Sequence, residues 1–132
     1  MRIVLDTGPL VALMNARDRH HEWARSVFAE ISPPFFTCEP VLTEAAHLTG
    51  KGSRILSLVA RGVLRIGLRV QDQADEIAAL LERYAPRMDL ADACVVRMTE
   101  FRRRSQVLTL DRKDFIVYRR NGRDVIPLLA PD

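Results

Sequence analysis

An unbroken apolar run, Ile3-Val4-Leu5, ends directly in a carboxylate, Asp6. Apolar residues in succession, without polar alternation, predict a strand covered on both faces, as in the interior of a parallel sheet. Such a strand obliges the rest of the chain to supply helices for both faces. Asp6 then stands at the strand's C-terminal end, where open α/β sheets bind their ligands.

The downstream pattern meets that demand. Pro9, suited to the first position of a helix, opens a short helix through Leu10, Leu13 and Met14 that ends near Asn15. Trp23, Val27, Phe28 and Ile31 share one face of a helix over about 22–31, which Ser32-Pro33-Pro34 breaks. Phe35-Phe36-Thr37 reads as a second strand. A helix over about 41–49 carries Val41, Ala45 and Leu48 as its stripe, with Glu44 beside it, and Gly50 and Gly52 end it. Ile55, Leu56, Leu58 and Val59 predict another short helix, and Val63 to Val70 a third strand. Asp72 is placed to cap a helix over about 73–84, which Pro86 stops.

From Leu90 to Phe101 the residues Ala91, Cys94, Val95, Met98 and Phe101 match a helical stripe. Gln106 to Thr109 predicts a strand that leads to Asp111. Val125-Ile126 and Leu128-Leu129, interrupted by Pro127, predict a final edge strand. Strands alternating with helices give an α/β chain with a small, mostly parallel sheet. At 132 residues it fits one domain over 1–132.

No apolar run can span a bilayer, and a strand beginning at residue 2 leaves no room for a signal peptide. Those expectations point to the cytoplasm. So do the two cysteines, Cys38 and Cys94, which lack a metal or disulfide spacing and read as small core residues. His20, His21 and His47 read as surface or satisfied residues.

The formal charge is +3, but it is unevenly spread. Between Arg97 and Arg123 nine cations face three acids, a net of +6. Most are arginines, whose planar fork matches phosphate. Arg102, Arg103, Arg104, Arg112 and Lys113 are the candidate nucleic-acid contacts, against the alternative of a solvated face.

Each acid has an ordinary explanation by itself. Asp6 could cap the first helix. Glu44 could sit at a helix boundary. Asp89-Leu90-Ala91-Asp92 fits a capping box, with Asp89 as N-cap and Asp92 three residues on. Asp111 and Asp114 could be turn residues. Together they form a pattern. Asp6 and Asp111 each follow an apolar strand, and Glu44 and Asp92 lie in helices that would pack near those strand ends. Such a cluster should raise its members' pKa values by mutual repulsion and attract a cation. All-oxygen ligands favour Mg²⁺ or Mn²⁺ over zinc. That chemistry, near arginines, suits phosphodiester hydrolysis.

The sequence resembles the PIN-domain family, which includes the VapC-type toxins of bacterial and archaeal toxin–antitoxin pairs. The resemblance rests on Ile3-Val4-Leu5-Asp6-Thr7, Val41-Leu42-Thr43-Glu44-Ala45, Asp89-Leu90-Ala91-Asp92-Ala93 and Thr109-Leu110-Asp111-Arg112-Lys113-Asp114-Phe115, and covers nearly the whole chain. It implies a three-layer fold, a small parallel sheet flanked by helices, and a Mg²⁺- or Mn²⁺-dependent ribonuclease. Asp6, Glu44 and Asp92 match three family acids, with Asp111 or Asp114 as the fourth. Asp89 would be a peripheral ligand acting through water, and Thr109 would order the fourth acid. RNA as substrate, a small antitoxin partner and a homodimer are further implications.

Three rivals use the same residues. Leu5-Asp6-Thr7-Gly8 reproduces the motif of a retroviral-type aspartic protease, which requires an all-β chain. A PIN-like module could bind RNA or protein without cutting. A haloacid-dehalogenase-type phosphatase needs an Asp where Gly8 stands.

Overall fold

The computed structural model describes residues 1–132. Five strands form one sheet: β1 (Arg2–Leu5), β2 (Phe35–Thr37), β3 (Leu64–Ile66), β4 (Ser105–Leu108) and β7 (Leu128–Leu129). Their order is β3-β2-β1-β4-β7, and each neighbouring pair is parallel. The apolar N-terminal run is thus the central strand, with Val4 and Leu5 fully buried. The two remaining strands, β5 (Arg119–Arg120) and β6 (Asp124–Val125), make a separate antiparallel ribbon.

The helices are α1 (Thr7–Met14), α2 (His21–Glu30), α3 (Glu39–Thr49), α4 (Gly52–Ala60), α5 (Ala74–Arg83), α6 (Leu90–Glu100) and α7 (Arg112–Phe115). α1 packs on α2 and α3, while α6 packs on β1, β4, α3 and α5. No helix is long and apolar enough to cross a membrane. This alternation of helices and parallel strands excludes the all-β protease.

Topology fixes where a site can form. The chain steps from β1 to β2 to β3 in one direction, then crosses back to lay β4 on the other side of β1. The reversal leaves a crevice beyond the C-terminal ends of β1 and β4. Register does the rest. Leu5 lies opposite Leu108, and the amide of Asp6 donates to the Leu108 carbonyl at 3.0 Å. Asp6 and Thr109 therefore leave the sheet side by side.

α6 is the most deeply buried helix. Ala91, Ala93, Cys94, Val95, Val96, Met98 and Thr99 are all buried, more of the circumference than one stripe. A helix this apolar belongs inside a core. Cys38 and Cys94 are free, buried members of that core.

Several local expectations need correction. Leu48 is 62% exposed, so Leu42 replaces it in the buried face of α3. α1 starts at Thr7, which puts Pro9 third; the first four amides of a helix have no partner within it, so Pro costs nothing there. Asp72 caps nothing. It lies in a 3₁₀ turn over Gln71–Gln73 and pairs with Arg69 at 3.7 Å, and α5 begins only at Ala74. β3 is confined to Leu64–Ile66; the Gly67 amide still donates to the Thr37 carbonyl of β2 at 2.8 Å before the chain turns away. Val125 belongs to the ribbon, so only Leu128-Leu129 makes the edge strand.

Candidate active site

A cavity of about 480 Å³ opens at the crevice between β1 and β4. Its wall includes Asp6, Glu44, Asp89, Asp92, Asp111 and Asp114, together with Thr7, Gly8, Leu48, Arg87 and Leu110. All six acids singled out in the sequence thus meet, although they come from four separate stretches of chain.

Asp6 is the buried corner, 7% exposed. It occupies the N-cap position of α1 but makes no side-chain cap hydrogen bond. Its Oδ2 instead accepts from the Thr109 hydroxyl at 2.7 Å. The same Thr109 oxygen accepts from the Asp111 amide at 2.8 Å. One hydroxyl therefore fixes the spacing between the β1 acid and the acid beyond β4.

Asp92 does double duty. Asp89 and Asp92 form the capping box read from the sequence, with the Asp92 amide donating to Asp89 Oδ1 at 2.8 Å. Asp92 Oδ2 also accepts from the Tyr118 hydroxyl at 3.0 Å. The positive end of the α6 dipole faces this pair, which favours negative charge there. Asp111 caps α7, its Oδ1 accepting from the Asp114 amide at 3.0 Å. Asp114 is bridged to Arg87 at 3.5 Å. Glu44 projects from α3 as an exposed member of the wall.

Burial, more than mutual repulsion, sets the acidity. Desolvation pushes Asp6 up from 3.8 to about 6; the Thr109 bond opposes it, and Asp111 and Glu44 add smaller repulsions. Asp92 rises to about 7, again chiefly by burial, with Asp89 adding to it and Tyr118 opposing. Asp114 is raised by burial and by Asp111, while Arg87 pulls it back. The Tyr118 hydroxyl is pushed up by burial and by Asp92, so it stays a donor at neutral pH.

These groups suit a hard cation. Two partly buried carboxylates that resist ionising gain from a positive charge beside them. The Thr7 hydroxyl, buried on the same wall, has no hydrogen-bond partner. As the side chains stand, no three acids converge into a closed ion cage.

Arg87 and Tyr118 were not anticipated. Arg87 is one basic residue among many, in the turn two residues before Asp89, and only the fold brings it to Asp114. Tyr118 is 26 positions from Asp92 in an irregular segment, with no periodicity to announce it. The arginine run is the reverse case. Arg102, Arg103 and Arg104 precede β4, at the edge of the sheet opposite the cavity, because α6 spans about 16 Å from Asp92's end to theirs. Neither that run nor Arg112 and Lys113 lines the cavity. Arg112 turns instead to the C-terminal carbonyls of Ala130 and Pro131, each at 3.3 Å.

Comparison with known proteins agrees with the geometry. The PIN domain family model matches residues 3–121. Among solved structures, the Mycobacterium tuberculosis VapC20 toxin, described as sarcin-ricin loop cleaving, is similar in fold, with a TM-score of 0.67 and 24% identity over 80% of this chain and 86% of that one. No curated protein matches. With the family's model matched over most of its length, the chain belongs to the PIN-domain family.

Proposed function

We propose that the protein is a Mg²⁺- or Mn²⁺-dependent endoribonuclease, the toxin of a toxin–antitoxin pair. The observation that carries this reading is the convergence of Asp6, Glu44, Asp92 and Asp111 on one cavity at the sheet's switch point, in a chain of the PIN family. The description of the VapC20 toxin as sarcin-ricin loop cleaving supports RNA as the substrate class.

Asp6, Asp92 and Asp111 would hold the ion, with Glu44 completing the set and Asp89 acting through water. Asp114, held by Arg87, is the weaker candidate for the fourth acid. The chemistry such an ion supplies is polarisation of the phosphodiester and activation of water. The chain's own groups do the positioning. Thr109 holds one Asp6 oxygen and stabilises its ionised form. Tyr118 does the same for Asp92. Arg87, the cation on the wall, would hold a non-bridging phosphate oxygen, and its link to Asp114 keeps it at the cavity.

Leu48, exposed on the cavity wall, offers an apolar contact to a small antitoxin that covers the site. The family resemblance further supports a homodimer. The reading is tested by incubating the purified protein with a mixed RNA substrate in Mg²⁺ and in EDTA. Cleavage should require the metal and be lost in Asp92→Asn. Equal cleavage in EDTA, or a fully active Asp92→Asn protein, would show the reading to be wrong.

A further inference from the structure

In a parallel sheet all strand starts lie along one edge, here the edge opposite the acids. The four residue steps from Arg2 to Asp6 put the two edges about 13 Å apart on β1. Arg2 opens β1, and Arg102, Arg103 and Arg104 lead into β4 beside it. Arg65 reaches the same side from β3.

The Arg102–Arg104 loop is held from within. Buried Arg120 donates to the carbonyls of Arg103 at 2.8 Å and Arg102 at 3.0 Å. The Ser105 hydroxyl also donates to the Arg102 carbonyl at 2.7 Å, and the Arg2 amide to that of Arg104 at 2.9 Å. Every carbonyl of the run is occupied, while the three residues themselves are exposed. Arg2 lies 3.9 Å from the centre of the Phe36 ring, with Arg65 at 5.8 Å.

None of these arginines is neutralised. The molecule's ion pairs use Arg25, Arg69, Arg87, Arg97 and Arg123 instead. Arg2 feels both Arg102 and Arg65, which places the three in one field. From β3 to β4 the patch is three strand spacings wide, about 14 Å. A fixed loop that gathers unpaired guanidinium groups along such an edge is a preformed polyanion site.

We propose that this edge binds the sugar–phosphate backbone of RNA, at a place separate from the cleavage cavity. The guanidinium fork matches phosphate oxygens in pairs, and a duplex offers one charge per about 1.7 Å of axis, enough to engage several arginines at once. The proposal rests on the ribonuclease reading and adds to it a second contact that only an RNA long enough to reach around the domain can use. Arg120 acts here as a positioning residue.

The test is RNA binding by the full-length protein in EDTA, followed by fluorescence anisotropy over a range of salt. The probes are an RNA hairpin and a tetranucleotide. The wild type should show a steeper salt dependence with the hairpin. Replacing all three residues (R102Q, R103Q, R104Q) should lower the slope of log Kd against log salt by about 2 and weaken hairpin binding at least tenfold at low salt. The corresponding lysine triple should keep the slope, and all three proteins should melt at the same temperature. Equal slopes for wild type and the glutamine triple, both folded, would overturn the proposal. So would displacement of the hairpin by poly-glutamate as readily as by RNA of equal charge, which assigns the edge to an acidic protein. A protein that fails to cleave RNA yet keeps the slope difference overturns the ribonuclease reading and upholds the arginine edge; cleavage with equal slopes overturns the edge alone.

Discussion

Thr109 donates to Asp6 across the β1–β4 pair at 2.7 Å while accepting from the amide of Asp111. The bond exists because Leu5 and Leu108 are in register, so the next residue of each strand leaves the sheet at the same level. It favours the ionised form of a carboxylate that burial pushes toward neutrality.

Thr109→Val keeps the shape and removes both bonds. Asp6 should then titrate higher, and the acid limb of the pH–rate profile should move to higher pH. Thr109→Ser, which retains the hydroxyl, should leave that limb in place. The measurement is kcat/KM against pH for the three proteins. A Val variant whose profile overlays the wild type would show that the hydroxyl does not tune Asp6.

Asp6 also makes stability depend on pH. Its folded pKa, about 6, lies above the ordinary 3.8 of the unfolded chain. The folded state thus holds the proton more tightly. Stability from this group is complete below about pH 4 and is lost as pH rises through 6. At about 1.4 kcal/mol per pH unit the loss is about 3 kcal/mol. Without metal, Asp6→Asn should therefore melt higher than wild type at pH 7.5 and equally at pH 4, while losing cleavage and most of the thermal shift that Mg²⁺ gives. Thermal melts at the two pH values, with and without Mg²⁺, check this.

Tyr118→Phe removes the donor to Asp92, which already titrates near 7. Fewer molecules would carry the ionised carboxylate at pH 7. The Mg²⁺ concentration for half-maximal cleavage should rise severalfold at pH 7 and return toward wild type at pH 8.5. An increase of equal size at both pH values would point to a packing role, since Tyr118 also meets the rings of Tyr84 and Phe115 edge-on.

Gly8 sits where the β1–α1 turn touches the loop beyond β4. A Cβ there would stand 2.9 Å from Cγ and 3.0 Å from Cβ of Leu110. Gly8→Ala should force the loops carrying Asp6 and Asp111 apart and cut cleavage by tenfold or more. Leu110→Ala in the same chain should restore much of it. Rates for the two single variants and the double variant measure the coupling.

Most of the acids were legible in the sequence because they sit at the ends of regular elements, while Glu44, midway along α3, was read from its place beside the apolar stripe. Ile3-Val4-Leu5 announces Asp6, the α6 pattern announces Asp89 and Asp92, and Gln106 to Leu108 announces Asp111. What periodicity cannot carry is the partner on another element. Tyr118 reaches Asp92, and Arg87 reaches Asp114, through tertiary packing alone. The expected mutual repulsion proved secondary to burial, because burial depends on how α6 and the sheet close over the carboxylates. The capping role read for Asp72 failed for the opposite reason: the 3₁₀ turn at Gln71–Gln73 delays α5, and nothing local in the sequence marks the delay.

The parallel sheet has one further consequence. With carboxylates gathered at its strand ends and unpaired arginines at its strand starts, the domain carries a permanent electric dipole along β1. The buried α6 lies between the two, its N-terminus among the acids and its C-terminus leading to the arginines. A diffusing polyanion feels a torque before it makes contact. On the proposed reading it would meet the arginines first, and the acid end would turn it away until a cation lowered that barrier.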